Sequence, residues 1–250
     1  MRQRLLLLTV ILSVLLGCAQ VAPPSLAPTP LTPMTPLTPL TPPTPPSPPT
    51  PPPSTHWFIF LESGKPTPPD RDAVAAMQRG HIDNFKRLFA QGLLFGAGPM
   101  RDPAGIKRGI VTVQAASFDV LQGYFQPDAY VREGYMTLNA VPAAVHKGLN
   151  TQGVDASKVE ELRIVQIARG TAAVDAATTA ARQAMLQGLV DRGTVGAWYT
   201  LQSGPVAEVL LARTTDTAQL EAAFAGYPGL GTAGVTVAVW GQWLSPGVVR

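Results

Sequence analysis

Among the 250 residues, three histidines are the side chains best placed to exchange protons near neutral pH. His81 opens the stretch HIDNFKRLFAQGLLFGAGP, whose spacing predicts a helix. The apolar positions of that helix are Met77, Phe85, Leu88 and Phe89. His81 lies four residues from both Met77 and Phe85, and therefore within the buried stripe. A histidine there is either a satisfied core side chain or the proton-transferring end of a site. Leu would pack better, and a buried imidazole without a partner costs about 1–3 kcal/mol, so its retention needs a reason. His56 and His146 fall in loop-like contexts and read as exposed. No group of His, Cys, Asp and Glu has metal-ligand spacing and no glycine loop suits a phosphate, so neither a metal nor any other cofactor is implied. Ser117 and Asp216 read as helix caps rather than nucleophiles. Gly96 and Gly98 either admit a ligand close to the backbone or mark a β-bulge.

The elements that must position these residues come in two similar sets. The first begins with the apolar strand HWFIFLES and a helix from Asp72 to Gln91. Strands from Leu93 to Met100 and from Gly109 to Ala115 follow, then a short helix capped by Ser117 and a last strand, YMTLNAV. The order β-α-β-β-α-β is that of the ferredoxin-like split unit. The second set runs LRIVQIAR, a helix DAATTAARQAMLQGLV, the strands TVGAWYTLQ and AEVLLAR, a helix TAQLEAAF capped by Asp216, and VTVAVWGQW. Laying FKRLFAQGLLFGA over MLQGLVDRGTVGA matches Leu88 with Leu189, Gly92 with Gly193 and, within one residue, Gly96 with Gly196. The chain is thus read as an internal duplication. Its expected fold class is α+β, with two ferredoxin-like repeats packed sheet against sheet as an intramolecular pseudo-dimer resembling a dimeric α/β barrel. Three of the four tryptophans, Trp198, Trp240 and Trp243, lie in the second repeat and are expected to fill the sheet interface. A monomer is the expected state.

Composition divides the chain further. Sixteen of the 26 prolines fall between Pro23 and Pro53. The formal charge of +3 drops to +1 without Arg2 and Arg4, and no basic stripe exists, which argues against nucleic acid as a partner. MRQR followed by LLLLTVILSVLL has the form of a signal peptide, too short for a comfortable membrane span. The run ends in LLGC, which resembles the bacterial lipobox, and Cys18 is the only cysteine. Acylation of Cys18 makes the membrane an expected partner, and Ala19 after it suggests the outer membrane facing the periplasm. The uncharged Pro/Thr-rich segment reads as a polyproline II stalk with a reach of roughly 90–100 Å. The expected organisation is a signal peptide over 1–17, a stalk over 18–53, a first domain over 54–142, a joiner over 143–160 and a degenerate second domain over 161–250.

The first domain resembles the YciI-like (YCII-related) family, over roughly Trp57 to Pro142. The resemblance rests on the helical His81 followed by LLFGAGP, with Gly98 and Pro99 seventeen and eighteen residues on, and on PDAYVREGY, which supplies Asp128, Tyr130 and Gly134. Ala129 stands where the family commonly has Pro. The resemblance implies a ferredoxin-like fold that usually dimerises, and a pocket carrying the pair His81 and Asp128. Gly98 and Tyr130 are the implied ligand-binding residues. An ionised Asp beside the imidazole would fix its tautomer and leave the other ring nitrogen as a general base. The second domain lacks the pair: alignment puts Arg182 at the His81 position and Gly229 at that of Asp128. Arg182 reads as a solvated arginine, with an anion clamp as the alternative. Two functions remain open: a lipid-anchored enzyme acting on a small molecule through His81 and Asp128, or a non-catalytic envelope lipoprotein binding a ligand or protein.

Overall fold

Both sets of elements form in the expected order. The computed structural model describes residues 54–250, so Cys18, the apolar run before it and the Pro-rich segment lie outside the described residues. The first set comprises β1 (Thr55–Ser63), α1 (Arg71–Ala90), β2 (Leu94–Arg101), β3 (Lys107–Ala115), α2 (Phe118–Tyr124), α3 (Ala129–Arg132) and β4 (Met136–Lys147). The second comprises β5 (Glu160–Ala168), α4 (Ala176–Asp191), β6 (Ala197–Leu201), β7 (Val206–Ala212), α5 (Thr217–Phe224) and β8 (Val237–Leu244). Ser117 and Asp216 do cap helices, accepting from the backbone of Val120 and Gln219. One element, the single-turn α3, goes beyond the expected order. No helix among the described residues is long and apolar enough to cross a membrane.

The two halves do form the expected barrel-like pseudo-dimer, but their sheets do not stack face to face. They join edge to edge, and all eight strands pair antiparallel in a closed barrel of order β1-β3-β2-β8-β5-β7-β6-β4. Stacked sheets would leave four edge strands with unpaired N–H and C=O groups, and closure pairs them. The seam β4·β6 draws on residues expected in the joiner: β4 runs on to Lys147, with Ala143 opposite Leu201 and Val145 opposite Tyr199. His146, expected in a loop, therefore stands on a strand, as does His56 on β1.

The apolar runs of the strands follow from burial on both faces. Phe58, Phe60, Ile110, Ile164 and Leu211 point into the barrel. Their neighbours Ile59, Leu61 and Val111 pack outward against Leu88 of α1 and Leu121 of α2. In the second half Val165 and Ile167 meet Leu186 and Leu189 of α4 and Phe224 of α5. Trp198 belongs to this outer layer, whereas Trp240 packs against the barrel interior.

The aligned glycines have matching work. Gly92 and Gly193 follow α1 and α4 with φ of 70° and 72°, the left-handed turn that ends a helix. A Cβ on Gly96 would lie 2.5 Å from Leu149 Cδ1, and one on Gly196 would lie 2.3 Å from Val249 Cγ1. Each glycine thus seats an apolar side chain from the segment after its half's last strand.

The seam β2·β8 is short, with Met100 opposite Gln242 and Arg101 opposite Gly241. Pro99 has no N–H to extend it. The wholly buried Gln242 takes over: its Nε2 donates to the carbonyls of Gly98 (3.1 Å), Pro99 (2.9 Å) and Trp243 (3.1 Å).

Candidate functional site

α1 begins at Asp70, whose carboxylate accepts from the backbone of Asp72 and Ala73, and it buries Met77, His81, Asn84 and Leu88 on one stripe. That registration fixes His81 on the inner face, with 7% of its surface exposed. Asp128, wholly buried, caps α3 by accepting from the Tyr130 N–H at 3.0 Å through Oδ1. Its other oxygen, Oδ2, lies 2.6 Å from His81 Nδ1. The capping role explains how Asp128 is held for His81, because the helix turn aims one oxygen inward and leaves the second free. Ala129 is the first residue of α3, a position that Pro suits but does not have to fill.

An ionised Asp128 can only accept, so the ring presents Nδ1–H to it and leaves Nε2 as an acceptor. No hydrogen bond from the described residues reaches Nε2. Phe85 and Tyr130 meet the ring edge-on, with centroids at 4.3 and 5.6 Å, and limit its rotation.

The ring forms part of the wall of a cavity of about 450 Å³ between α1 and β2. Phe85, Phe89, Phe95 and Trp243 make much of that wall, and Val154 and Val159 close it from the segment between the halves. Lys86 and Arg108 line it as well, and no carboxylate does. Gly98 lines the cavity too, but its missing side chain has a separate cause: a Cβ there would lie 1.9 Å from the Trp243 carbonyl oxygen. Tyr130 does not line it. It is 5% exposed, with its ring behind His81 and its hydroxyl 3.5 Å from the Val74 carbonyl. Lys86, Arg108 and Trp243 were all missed in the sequence: Lys86 and Arg108 read as ordinary exposed cations of α1 and β3, and only the barrel closure brings Trp243 of β8 to α1.

The second half carries a different arrangement. Arg182 is half-buried: its Nε donates to the Pro228 carbonyl at 2.9 Å, and its guanidinium lies 5.3 Å from the centre of the Tyr227 ring. Gly229, with φ of 82°, leaves room for it, because a Cβ would sit 2.8 Å from the guanidinium. Nearby, Glu208 Oε2 accepts from Trp198 Nε1 at 2.8 Å and Thr200 Oγ1 at 2.7 Å. His146 Nε2 lies 2.8 Å from the same hydroxyl, and its ring stacks on Trp198 at 3.8 Å. Among the described residues no group of three or more His, Cys, Asp or Glu is arranged to hold a metal.

Burial pushes the Glu208 carboxyl up from its ordinary value, against the pull of the Trp198 and Thr200 hydrogen bonds and of Arg169 and Arg182. A carboxyl raised in the folded state stabilises the fold below its unfolded value. That contribution is lost as pH rises from the ordinary carboxylate range through the raised folded value. Glu208→Gln keeps an acceptor for Trp198 and Thr200 without the charge. The melting temperature of this variant relative to the parent is therefore expected to climb as pH rises through that window. A constant offset across the window would mean that Glu208 carries no such strain.

No family model matches the chain, and no curated protein matches it. Among solved structures it is similar to a heme-binding protein from Thermus thermophilus, at 11% identity and a TM-score of 0.46, over 78% of this chain and 94% of that one. It is also similar to a mutant chlorite dismutase from Candidatus Nitrospira defluvii, at 13% identity and a TM-score of 0.45, over 77% and 91% of the two chains. The mixed α+β architecture and the closed eight-stranded antiparallel barrel stand on this chain's own strand pairing.

Proposed function

We propose that the first half of the barrel is an enzyme of the YciI-like kind, in which His81 takes a proton from a small, largely apolar molecule and Asp128 orients it. The observation that carries this reading is the 2.6 Å contact of Nδ1 with a buried carboxylate, made by a ring that forms part of a cavity wall. Asp128 fixes the tautomer and stabilises the imidazolium formed when Nε2 accepts the proton. Negative charge left on the substrate then develops in a cavity whose lining includes Lys86 and Arg108 but no carboxylate. The aromatic walls favour a flat or branched apolar body over a sugar or a nucleotide.

The LLGC motif and the Pro-rich segment add an envelope lipoprotein, lipidated at Cys18 and holding the barrel away from an outer-membrane surface. Cys18→Ala is the direct check on that part: it should abolish acylation, and a variant still processed and membrane-bound would exclude it.

For the enzyme, the experiment is deuterium uptake. Phenolic and aryl-ketone carbon acids are incubated with the protein in heavy water and followed by NMR. Wild type should promote exchange, and His81→Gln should lose it about a hundredfold or more, the ordinary contribution of a positioned base. Asp128→Asn should lose much of it with the fold intact. Exchange equally fast with His81→Gln, or no exchange by wild type across the set, would overturn the assignment.

A further inference from the structure

The strand register sets the two halves against one another position by position. Leu61 pairs with Gly109 as Ile167 pairs with Glu208, and Pro99 pairs with Gly109 as Thr200 pairs with Glu208. Glu208 therefore stands where the first half has Gly109, Thr200 where it has Pro99, and Arg182 where it has His81. All six of these residues line a cavity, those of the second half a separate one of about 510 Å³. The other half's last strand completes each cavity, with Trp243 just before the end of β8 in the first and His146 near the end of β4 in the second. The second cavity is thus the counterpart of the His81 cavity, rebuilt with charges of both signs.

Its charges are held apart. Arg182 is committed through Nε to the Pro228 carbonyl and braced by the Tyr227 ring, which leaves both terminal nitrogens without a partner among the described residues. Arg169 is committed to the carbonyls of Gly204 and Leu201. Glu208 is committed through Oε2 to Trp198 and Thr200, and its Oε1 has no partner among the described residues. Neither arginine bonds to Glu208, which feels both only as charges at longer range, although all three line the same cavity. Opposite charges fixed by their own structural bonds, each with donors or an acceptor to spare, make a preorganised template for a molecule that carries both. Ile167, Leu186 and Trp198 add apolar wall for its body.

We infer that the second cavity binds a small zwitterion, an amine and a carboxylate on one compact molecule, with the carboxylate on the Arg182 terminal nitrogens and the amine on Glu208 Oε1. This site is distinct from that of His81 and stands whether or not His81 is a base.

Calorimetric titration with three probes of one shape separates the contributions: L-leucine, 4-methylpentanoate without the amine, and isopentylamine without the carboxylate. Leucine should bind at least about tenfold more tightly than either partial probe, as expected when a charged hydrogen bond is withheld. Arg182→Met should cut leucine affinity about tenfold and bring it to the level of isopentylamine. Glu208→Gln should bring leucine to the level of 4-methylpentanoate. Arg182→Lys, which keeps the charge, should bind between wild type and Arg182→Met, and circular dichroism checks that each variant is folded. His81→Gln should leave all three titrations unchanged. The inference is overturned if leucine shows no binding up to about 10 mM, if 4-methylpentanoate binds as well as leucine, which would make this an anion site only, or if folded Arg182 and Glu208 variants bind leucine like wild type.

Discussion

Gly98→Ala is expected to melt the barrel far below the parent. Its added methyl would meet the Trp243 carbonyl oxygen at 1.9 Å, and that oxygen is backbone. Overpacking by a methylene usually costs about 1–3 kcal/mol because side chains can shift aside. Here the obstructing strand is fixed by the Gln242 bonds to Gly98 and Pro99, so relief requires opening the β2·β8 seam. A loss of about 3 kcal/mol or more follows, or roughly 6–12 °C in Tm for a domain of this size. Gly80→Ala supplies the contrast, since Gly80 lies in α1 with nothing within 4 Å of an added Cβ. Helix propensity alone should raise its stability by about 0.5–1 kcal/mol. Thermal unfolding by circular dichroism reads both. A parent-like Tm for Gly98→Ala would mean that β2 and β8 do not approach this closely.

Asp128→Ala is expected to cost about 1.5–5 kcal/mol, because one carboxylate serves two purposes. Losing the cap of α3 accounts for about 0.5–2 kcal/mol. Stranding the buried His81 nitrogen accounts for a further 1–3 kcal/mol or so. Asp128→Asn keeps an oxygen for the Tyr130 N–H while removing the charge, and should cost less. His81→Leu alone should also destabilise, since it leaves a buried carboxylate with a single backbone donor. The double variant His81→Leu/Asp128→Asn should recover part of the loss. A double-mutant cycle by urea unfolding should therefore give a coupling of about 0.5–3 kcal/mol. Additive losses would show that the 2.6 Å contact has no energetic content.

Local signals carried most of the secondary structure. The stripe on α1, the caps at Ser117 and Asp216 and the two copies of each turn glycine are short-range features, and the elements form where those features lie. The His81–Asp128 contact was legible through the family-like spacing of HIDNF, LLFGAGP and PDAYVREG, although its capping role was not, because a one-turn helix has no periodicity to read. A barrel-like pairing of the halves was expected, but the edges that close it were hidden for a different reason. Strand alternation says which side chains share a face but not which edges meet, and Gly98 and Gln242 lie more than a hundred residues apart. Glu208 was hidden as well. In AEVLLAR it reads as an ordinary outward residue of a half-buried strand, and nothing local tells that the space outside it is a cavity shared with Arg182 and Tyr227. His146 misled because the strand carrying it is recruited by β6, a partner outside its own half.

Carrying both halves on one chain frees them from twofold symmetry. In a dimer of identical subunits every substitution appears twice, so a residue useful in one cavity must be tolerated in the other. A half-buried glutamate at the Gly109 position would then come with the loss of the apolar pocket in both subunits. Here the symmetry survives where the scaffold depends on it, at Gly92 and Gly193 and at Gly96 and Gly196. It is broken where the cavities begin, at His81 and Arg182, Pro99 and Thr200, Gly109 and Glu208. Fusion therefore lets selection act on one pocket at a time, and a single barrel can hold two chemically unrelated cavities at equivalent addresses.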